Sequence, residues 1–349
     1  MTLEQQAPAI RPVAFAVDRA FYKDVTRAVD GTGDLDALVT TGLRDHFYGT
    51  AGADYWTALC ESTEYGHQDL VRSIDAWFPE ALRLVLPTVA TAGSPIRLVS
   101  LGPGTGEIDV RLLSHLERSE SPVTYGCVDA SFELLRRAVA RIANATELRS
   151  PFAIDALCAD FTQFERDRPH GDIDILTLLG GTLGNYREID LIERVKDLMT
   201  PRTHLLIDAW LWRADCPNGA GTISNEDRRT FMASLNFPAR NRFVFGPVEA
   251  ATTASARDVT FDHDVNQSIT VVPGAVNIVT YCVNLHTRMR LTDEEIHRSH
   301  LPLAVTTRYD FEQLTDWFGA NGLRVEWRKN AGPFGVFLLK RDVTDQAQS

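Results

Sequence analysis

Apolar and polar positions along this chain sort it into stretches with different periods. Up to about residue 90 the apolar residues recur at helical spacing, which predicts helices over Phe21 to Val29, Leu35 to Leu43, Tyr55 to Leu59 and Asp69 to Leu86, and no strand. The last is amphipathic through Leu70, Ile74, Trp77, Phe78, Leu82 and Leu84. Between 95 and about 212, short apolar runs near 97–101, 123–128, 153–158, 173–179 and 203–210 alternate with helical patterns near 107–118, 131–143 and 187–199. Strands spaced by helices predict a parallel sheet. From about 213 to 310 that rhythm breaks into a polar segment, Asn218 to Arg229, and expected strands Ser268 to Val272 and Val276 to Arg290 around Pro273-Gly274. The α/β rhythm then resumes, with Asp310 to Ala320 as a helix capped by Gly322. Strands Leu323 to Trp327 and Gly335 to Leu339 follow, joined by Asn330-Ala331-Gly332.

The first strand of the alternating stretch runs into Gly102-Pro103-Gly104-Thr105-Gly106-Glu107 and then into a helix marked by Ile108, Leu112, Leu113 and Leu116. Glycines at such a turn let a ligand approach the backbone, and the helix start offers unpaired N–H groups. The next two strands both end in an acid, Asp129 and Asp160-Phe161. Strand C-termini line the crevice of a doubly wound sheet, where an acid after the second strand can accept both ribose hydroxyls. Asp160 and Phe161 are placed to hold an adenine amino group and ring. Either Asp can instead cap a helix, although Ser131 is available to do that after Asp129. A dinucleotide site usually reads G-x-G-x-x-G, whereas here the third glycine comes one residue early, Pro103 lies inside the loop and Glu107 follows at once. An acid beside two phosphates is unfavourable, but it suits a zwitterionic amino acid, so S-adenosylmethionine fits better than NAD. The loop resembles motif I of class I methyltransferases, with Ser100 where that family often has an acid.

Composition narrows the setting. With 349 residues and 44% apolar content the chain can bury a full core, and its net charge of -12 without a Lys/Arg cluster speaks against a nucleic-acid partner. No apolar run approaches the roughly 20 residues that span a bilayer, so no membrane partner is expected. Five scattered cysteines without a C-x-x-C pair indicate neither a disulfide framework nor zinc, and a cytoplasmic protein is expected. No metal site is expected. Asp262-His263-Asp264 reads as a solvated polar loop, and His297 and His300, near a helix pattern, lack a third ligand.

The fourth strand ends in Gly180-Gly181-Thr182-Leu183-Gly184-Asn185-Tyr186, and a strand running into G-G-T-[LI]-G-N resembles the histidine-specific methyltransferase family of the ergothioneine pathway. The Y-x3-G-x2-Y-W-x2-L-x4-E-Y segment from Tyr48 to Tyr65 and Asp160-Phe161-Thr162 also look like that family. The resemblance implies a Rossmann-like class I sheet completed by a reversed last strand. It also implies a second, substrate-binding domain formed by N-terminal helices and an insertion after the fifth strand. The expected division is 1–90 and 213–308 for the substrate side, with 91–212 and 309–349 for the core. Gly102, Gly104, Gly106, Asp129, Asp160, Phe161 and Gly180 are the expected contacts to S-adenosylmethionine. By the resemblance Asn185, Tyr48 and Tyr65 hold the amino and carboxylate groups of an amino-acid substrate and carry the catalytic positioning. Tyr186 and Thr306 complete the pocket, whose aromatic lining (Tyr48, Tyr65, Tyr186, Tyr281) suits a sulfonium.

The chain also departs from that family. After Tyr65 it has Gly66-His67-Gln68-Asp69 where the family continues with a second tyrosine and Pro-Thr-Arg. If Arg308-Tyr309 is the family's basic-aromatic pair, Ala304 and Thr306 stand where a glutamate and a serine grip the imidazole. A buried polar group left unpaired costs roughly 1–3 kcal/mol, so histidine is not the expected acceptor. Three readings stay open: in-line methyl transfer to an amino-acid-like small molecule, cyclisation of the cofactor itself to azetidine-2-carboxylate and methylthioadenosine, and a non-catalytic cofactor-binding subunit. The first needs mainly positioning. The oligomeric state is not legible.

Overall fold

The computed structural model describes residues 13–17, 49–89, 95–119, 121–148, 152–160, 173–212, 231–266, 270–290 and 292–342. The expected helices Phe21 to Val29 and Leu35 to Leu43 lie outside them. A central eight-stranded sheet is built from β1 (Val13–Val17), β2 (Ile96–Leu101), β3 (Val123–Asp129), β4 (Ile154–Cys158), β5 (Ile175–Leu178), β6 (His204–Trp210), β10 (Leu323–Ala331) and β11 (Phe334–Arg341). Its order is β1-β4-β3-β2-β5-β6-β11-β10. The first six strands are parallel, while β11 runs antiparallel to β6 and β10 antiparallel to β11. Strand order reverses at β2, which lies between β3 and β5, and there the crevice opens above the strand C-termini.

Helices α2 (His67–Val89), α3 (Glu107–Glu117) and α4 (Phe132–Ala143) cover one face of this sheet, and α5 (Glu188–Leu198) and α7 (Phe311–Ala320) the other. Neighbouring strand residues serve opposite faces: Ile96 and Leu98 join the first apolar cluster, Val99 and Leu101 the second. Strands covered on both sides read as continuous apolar runs, so the pattern found them.

Three expectations need correction. The N-terminal stretch does contain a strand, since Val13–Val17 pairs in parallel with β4 at the sheet edge, Val13 opposite Ile154 and Val17 opposite Cys158. Helix α2, grouped with the substrate side, packs Leu70, Ile74, Trp77, Phe78 and Val85 on the central sheet. The third concerns the insertion. It holds α6 (Pro238–Ala251) and an antiparallel sheet of β7 (Thr260–Asn266), β8 (Val276–Arg288) and β9 (Glu295–Arg308) in that order. The partner of β8 is therefore Thr260–Asn266 and not Ser268 to Val272. Asp262-His263-Asp264 lies within that strand, and His297 and His300 lie on β9, not on a helix. The pattern misses β9 because its first half, Glu295 to His300, is mostly exposed on both sides and so does not alternate.

The inner face of this small sheet is covered by α6 and by α1 (Thr50–Glu61), with Leu59, Phe243, Val244, Val248, Phe261, Cys282 and Leu301 buried together. The end of β9 is sewn to the central sheet: the Tyr309 N–H donates to the Trp210 carbonyl at 3.0 Å and the Trp212 N–H to the Tyr309 carbonyl at 2.9 Å. Tyr309 is fully buried, and its hydroxyl donates to Glu188 at 3.2 Å. The insertion is thereby held over the C-terminal edge of β6.

Candidate active site

The three loop glycines all have positive φ but differ in what surrounds them. A Cβ at Gly106 would lie 2.8 Å from the Ala138 Cα, so this glycine lets α3 pack against α4. Gly104 lies under Trp56, whose Nε1 would be 3.1 Å from an added Cβ. Nothing stands within 4 Å of a Cβ built on Gly102, which leaves the backbone there open to a ligand.

Strand pairing gathers the acids at this loop. The Gly102 N–H donates to the Val128 carbonyl at 2.8 Å, and the Ala159 N–H to the Asp129 carbonyl at 3.0 Å. Asp129 accepts from the Gly104 N–H at 3.4 Å and the Ser131 N–H at 2.8 Å. The Ser131 hydroxyl caps α4 by accepting from the Leu134 N–H, so the acid is not the cap. Burial pushes the Asp129 carboxyl up to about 7, with the two N–H groups opposing that rise. Asp160 is buried at the end of the next strand, and Phe161 lies outside the described residues.

At the end of β5 the glycine-rich turn shows three different uses. Gly180, at φ 92, has nothing within 4 Å of an added Cβ and faces open space. At Gly181, φ 78, a Cβ would lie 2.2 Å from Trp210 Nε1; at Gly184 it would lie 2.8 Å from the Thr307 carbonyl oxygen. These two glycines admit the Trp210 ring and the β9 backbone. The turn is held by Asp208 on β6, which accepts from the Gly181 N–H at 2.9 Å and whose carboxyl burial pushes up to about 7. Asn185 ends the 3-10 turn Thr182–Asn185, exposed, with its side chain making no hydrogen bond to another described residue. Tyr186 is partly buried and packs against the core cluster on the α5 face of the sheet.

The roof comes from the insertion and the segment after α1. Cross-strand partners share a face, so His263, Thr280 and Ala304 lie side by side across β7, β8 and β9, with Thr306 and Arg308 further along β9. Arg240 of α6 is buried, donating to Thr280 Oγ1 at 2.8 Å and to the Leu235 carbonyl at 3.3 Å. His263 Nδ1 is 3.2 Å from the same Thr280 oxygen. Arg308 is buried over the Trp210 ring, 4.7 Å from its centroid, and donates to Thr306 Oγ1 at 3.1 Å. Burial draws both guanidinium pKa values down to about 10 and that of His263 to about 4, so at neutral pH the arginines are charged and the histidine is not.

Tyr65 stands between the two sides, its ring 5.2 Å from Trp210 and 6.0 Å from Trp56. Its phenol is pushed up by burial and lies in the field of Arg308, Arg240 and Asp208. Tyr48 lies outside the described residues. Tyr281 alternates to the outer face of β8 opposite the exposed Asp262, edge-on to His300, and so leaves the pocket. Away from the roof, His286 stacks on His297 at 4.0 Å with Glu295 beside them on exposed β8–β9 surface; His300 is not part of that group.

The profile of a family described as histidine-specific, S-adenosylmethionine-dependent methyltransferases matches residues 38–211. Together with the strand order, that match makes the chain a class I S-adenosylmethionine-dependent methyltransferase. Within the class it resembles the histidine-specific family, and S-adenosylmethionine is its cofactor. Among solved structures, magnesium protoporphyrin IX methyltransferase from Synechocystis PCC 6803 with bound SAH is 12% identical, covering 86% of this chain and 98% of that chain at a TM-score of 0.44. The glycopeptide N-methyltransferase MtfA complexed with S-adenosylmethionine is 12% identical, covering 75% and 92% at 0.37. No curated protein sequence matches the chain.

Several site residues were not found by sequence reasoning: Trp210, Asp208, Arg240, Thr280 and the inward-facing His263. Asp208 and Trp210 do carry a weak signal, since they close the fifth strand at the crevice edge. Arg240 carries none, as a lone arginine in a stretch without a clear helical or strand period reads as surface.

Proposed function

We propose that the chain transfers a methyl group from S-adenosylmethionine to a small amino acid or amino-acid-derived metabolite other than histidine. The observation that carries this reading is that the glycine turn at the end of β5 abuts Trp210, and Tyr65 and Arg308 lean on that same ring. Two features fit the cofactor: the open backbone at Gly102 and Gly180, and an Asp129 carboxylate that among the described residues is held by two backbone N–H groups. Asp129 would accept the ribose hydroxyls, Asp160 with Phe161 the adenine, and Gly102, Gly104 and Gly180 would line the rest. The bound cofactor supplies an electrophilic sulfonium methyl. Tyr65, Asn185 and Tyr48 would orient the acceptor, with Thr306 on the wall, so that the chain's own part is alignment and exclusion of water. Ala304 and Thr306 leave this roof without the acid that an imidazole needs, which supports excluding histidine. Residues 91–212 with 309–349 form the cofactor half in this reading, and 213–308 with the first α-helix the acceptor half.

The chemistry as read uses no metal, nucleic acid or membrane. None of the described helices is long and apolar enough to cross a bilayer. Four buried free cysteines, Cys60, Cys127, Cys158 and Cys282, suit a reducing compartment such as the cytoplasm. The test is mass spectrometry of incubations with S-adenosylmethionine and single amino acids. S-adenosylhomocysteine with a methylated acceptor is expected; methylthioadenosine would mean cyclisation, and preferred methylation of histidine would overturn the specificity. Asn185→Ala is expected to lower turnover at least about tenfold with an unchanged Tm, because the exposed side chain supports nothing else. An unchanged rate would return Asn185 to the role of a turn residue.

A further inference from the structure

The roof holds two guanidinium groups, Arg240 at 6% and Arg308 at 7% exposure, with no carboxylate within ion-pair distance of either among the described residues. Their hydrogen bonds go to neutral acceptors: the Leu235 and Thr307 carbonyls and the Thr280 and Thr306 hydroxyls. Charges withdrawn from water and left without a counter-ion are costly, so buried cations are ordinarily paired. Here the two are near neighbours, close enough that the Arg308 charge helps to lower the Arg240 pKa. Thr280, which holds Arg240, is the cross-strand partner of Ala304, and Arg308 lies on the same face of β9 beyond Thr306. Tyr65, whose hydroxyl makes no hydrogen bond to another described residue, feels both. His263 beside them adds no charge at neutral pH. A neutral amino acid brings one carboxylate together with one ammonium and leaves the pair of cations under-neutralised. An acceptor with a second anionic group balances them.

We propose that the acceptor is an amino acid or amino-acid derivative with an anionic side chain, carboxylate or phosphate, whose charge is held by Arg240 and Arg308. This rests on the methyl-transfer reading and specifies the substrate class of the same site. The side-chain anion is the anchor, while a different atom of the acceptor receives the methyl group, since a carboxylate or phosphate between two guanidiniums is a poor nucleophile.

The experiment is calorimetric titration of the full-length protein saturated with S-adenosylhomocysteine, using matched pairs: L-glutamate against L-glutamine, and O-phospho-L-serine against L-serine, with L-histidine beside them. Tighter binding of the anionic member in either pair, by about tenfold or more, is expected, and the pair that shows it tells carboxylate from phosphate. This preference should shrink with added salt. Arg308→Met and Arg240→Met should each remove most of the preference while affinity for S-adenosylhomocysteine stays unchanged. Arg308→Lys, which keeps the charge, should retain part of it and so separates lost charge from lost fold. Equal binding within both pairs, no binding of any of them, or histidine as the tightest ligand overturns the proposal. Methylthioadenosine as the product in the incubations would instead remove the methyl-transfer reading, whatever the anion preference.

Discussion

The edge of the central sheet presents buried acids, Asp129, Asp160 and Asp208, whereas the roof above it presents buried bases, Arg240 and Arg308. The acids sit where backbone geometry puts them. Asp129 and Asp160 close successive parallel strands, and Asp129 and Asp208 meet N–H groups released by glycine turns. The bases are held by side chains whose neighbours come from far along the sequence, Arg240 on Thr280 and Arg308 on Trp210. In the proposed reading a cofactor side is built from a short motif, while an acceptor side depends on the register of a separate sheet. On that reading the acceptor side can change its preferred charge without disturbing the cofactor side.

The largest effect that tests this division is expected from Asp129→Ala. Losing a charge-assisted acceptor for ribose hydroxyls is worth roughly 1.5–3 kcal/mol, or about ten- to a hundredfold in affinity. Calorimetry with S-adenosylhomocysteine should show that loss, with the arginine-dependent preference for anionic acceptors kept once the cofactor product is saturating. A variant that binds as tightly as the parent would break the assignment of the β3 end, and loss of the anion preference as well would show that the two sides are not separable.

The same division explains what was legible beforehand. The five parallel strands and the terminal hairpin could be read because doubly covered strands are continuous apolar runs, and Gly102, Asp129 and Asp160 because the chain's local order puts them at strand ends. In the insertion and at the N-terminal edge strand the pattern fails for physical reasons. The outer half of β9 has solvent on both sides, β7 carries Asp262 and Asp264 outward around an inward His263, and Val13–Val17 is five residues at an edge. Even within the motif the glycines read alike in sequence: only built backbone shows that Gly102 and Gly180 face open space while Gly106, Gly181 and Gly184 admit Ala138, Trp210 and Thr307.

That distinction sharpens into a paired substitution. Gly181→Ala places a Cβ 2.2 Å from Trp210 Nε1 at φ 78, so strain of about 1–3 kcal/mol and a displaced indole are expected, with Tm lowered by several degrees. Because Arg308 and Tyr65 both lean on Trp210, acceptor KM should rise too. Gly180→Ala, at φ 92 in open space, carries backbone strain without the clash. It should cost less stability and act mainly on cofactor affinity. If scanning fluorimetry ranked the two Tm losses the other way round, the turn would not be packed against Trp210 as described.

The smallest effect is a pH dependence that should appear on one side only. The Asp129 carboxyl, raised to about 7 by burial, is disfavoured as an ion in the folded protein. Its contribution to stability is present below the usual carboxylate range and is lost as pH rises through about 7, so the cofactor-free protein should melt higher at pH 5 than at pH 8 as far as this group governs it. Donors on a ribose favour the ionised form, so binding runs with the opposite sign. Affinity for S-adenosylhomocysteine should strengthen from pH 6 to pH 8, by up to about tenfold, with a proton released near pH 6. Calorimetry in two buffers of different ionisation enthalpy reads that proton directly. Arg240 and Arg308, at about 10, stay charged throughout, and L-glutamate binding at saturating cofactor product should be flat over the same range. Proton uptake on binding, in place of release, would mean that Asp129 meets the ribose as an acid and not as the carboxylate that the sheet edge supplies.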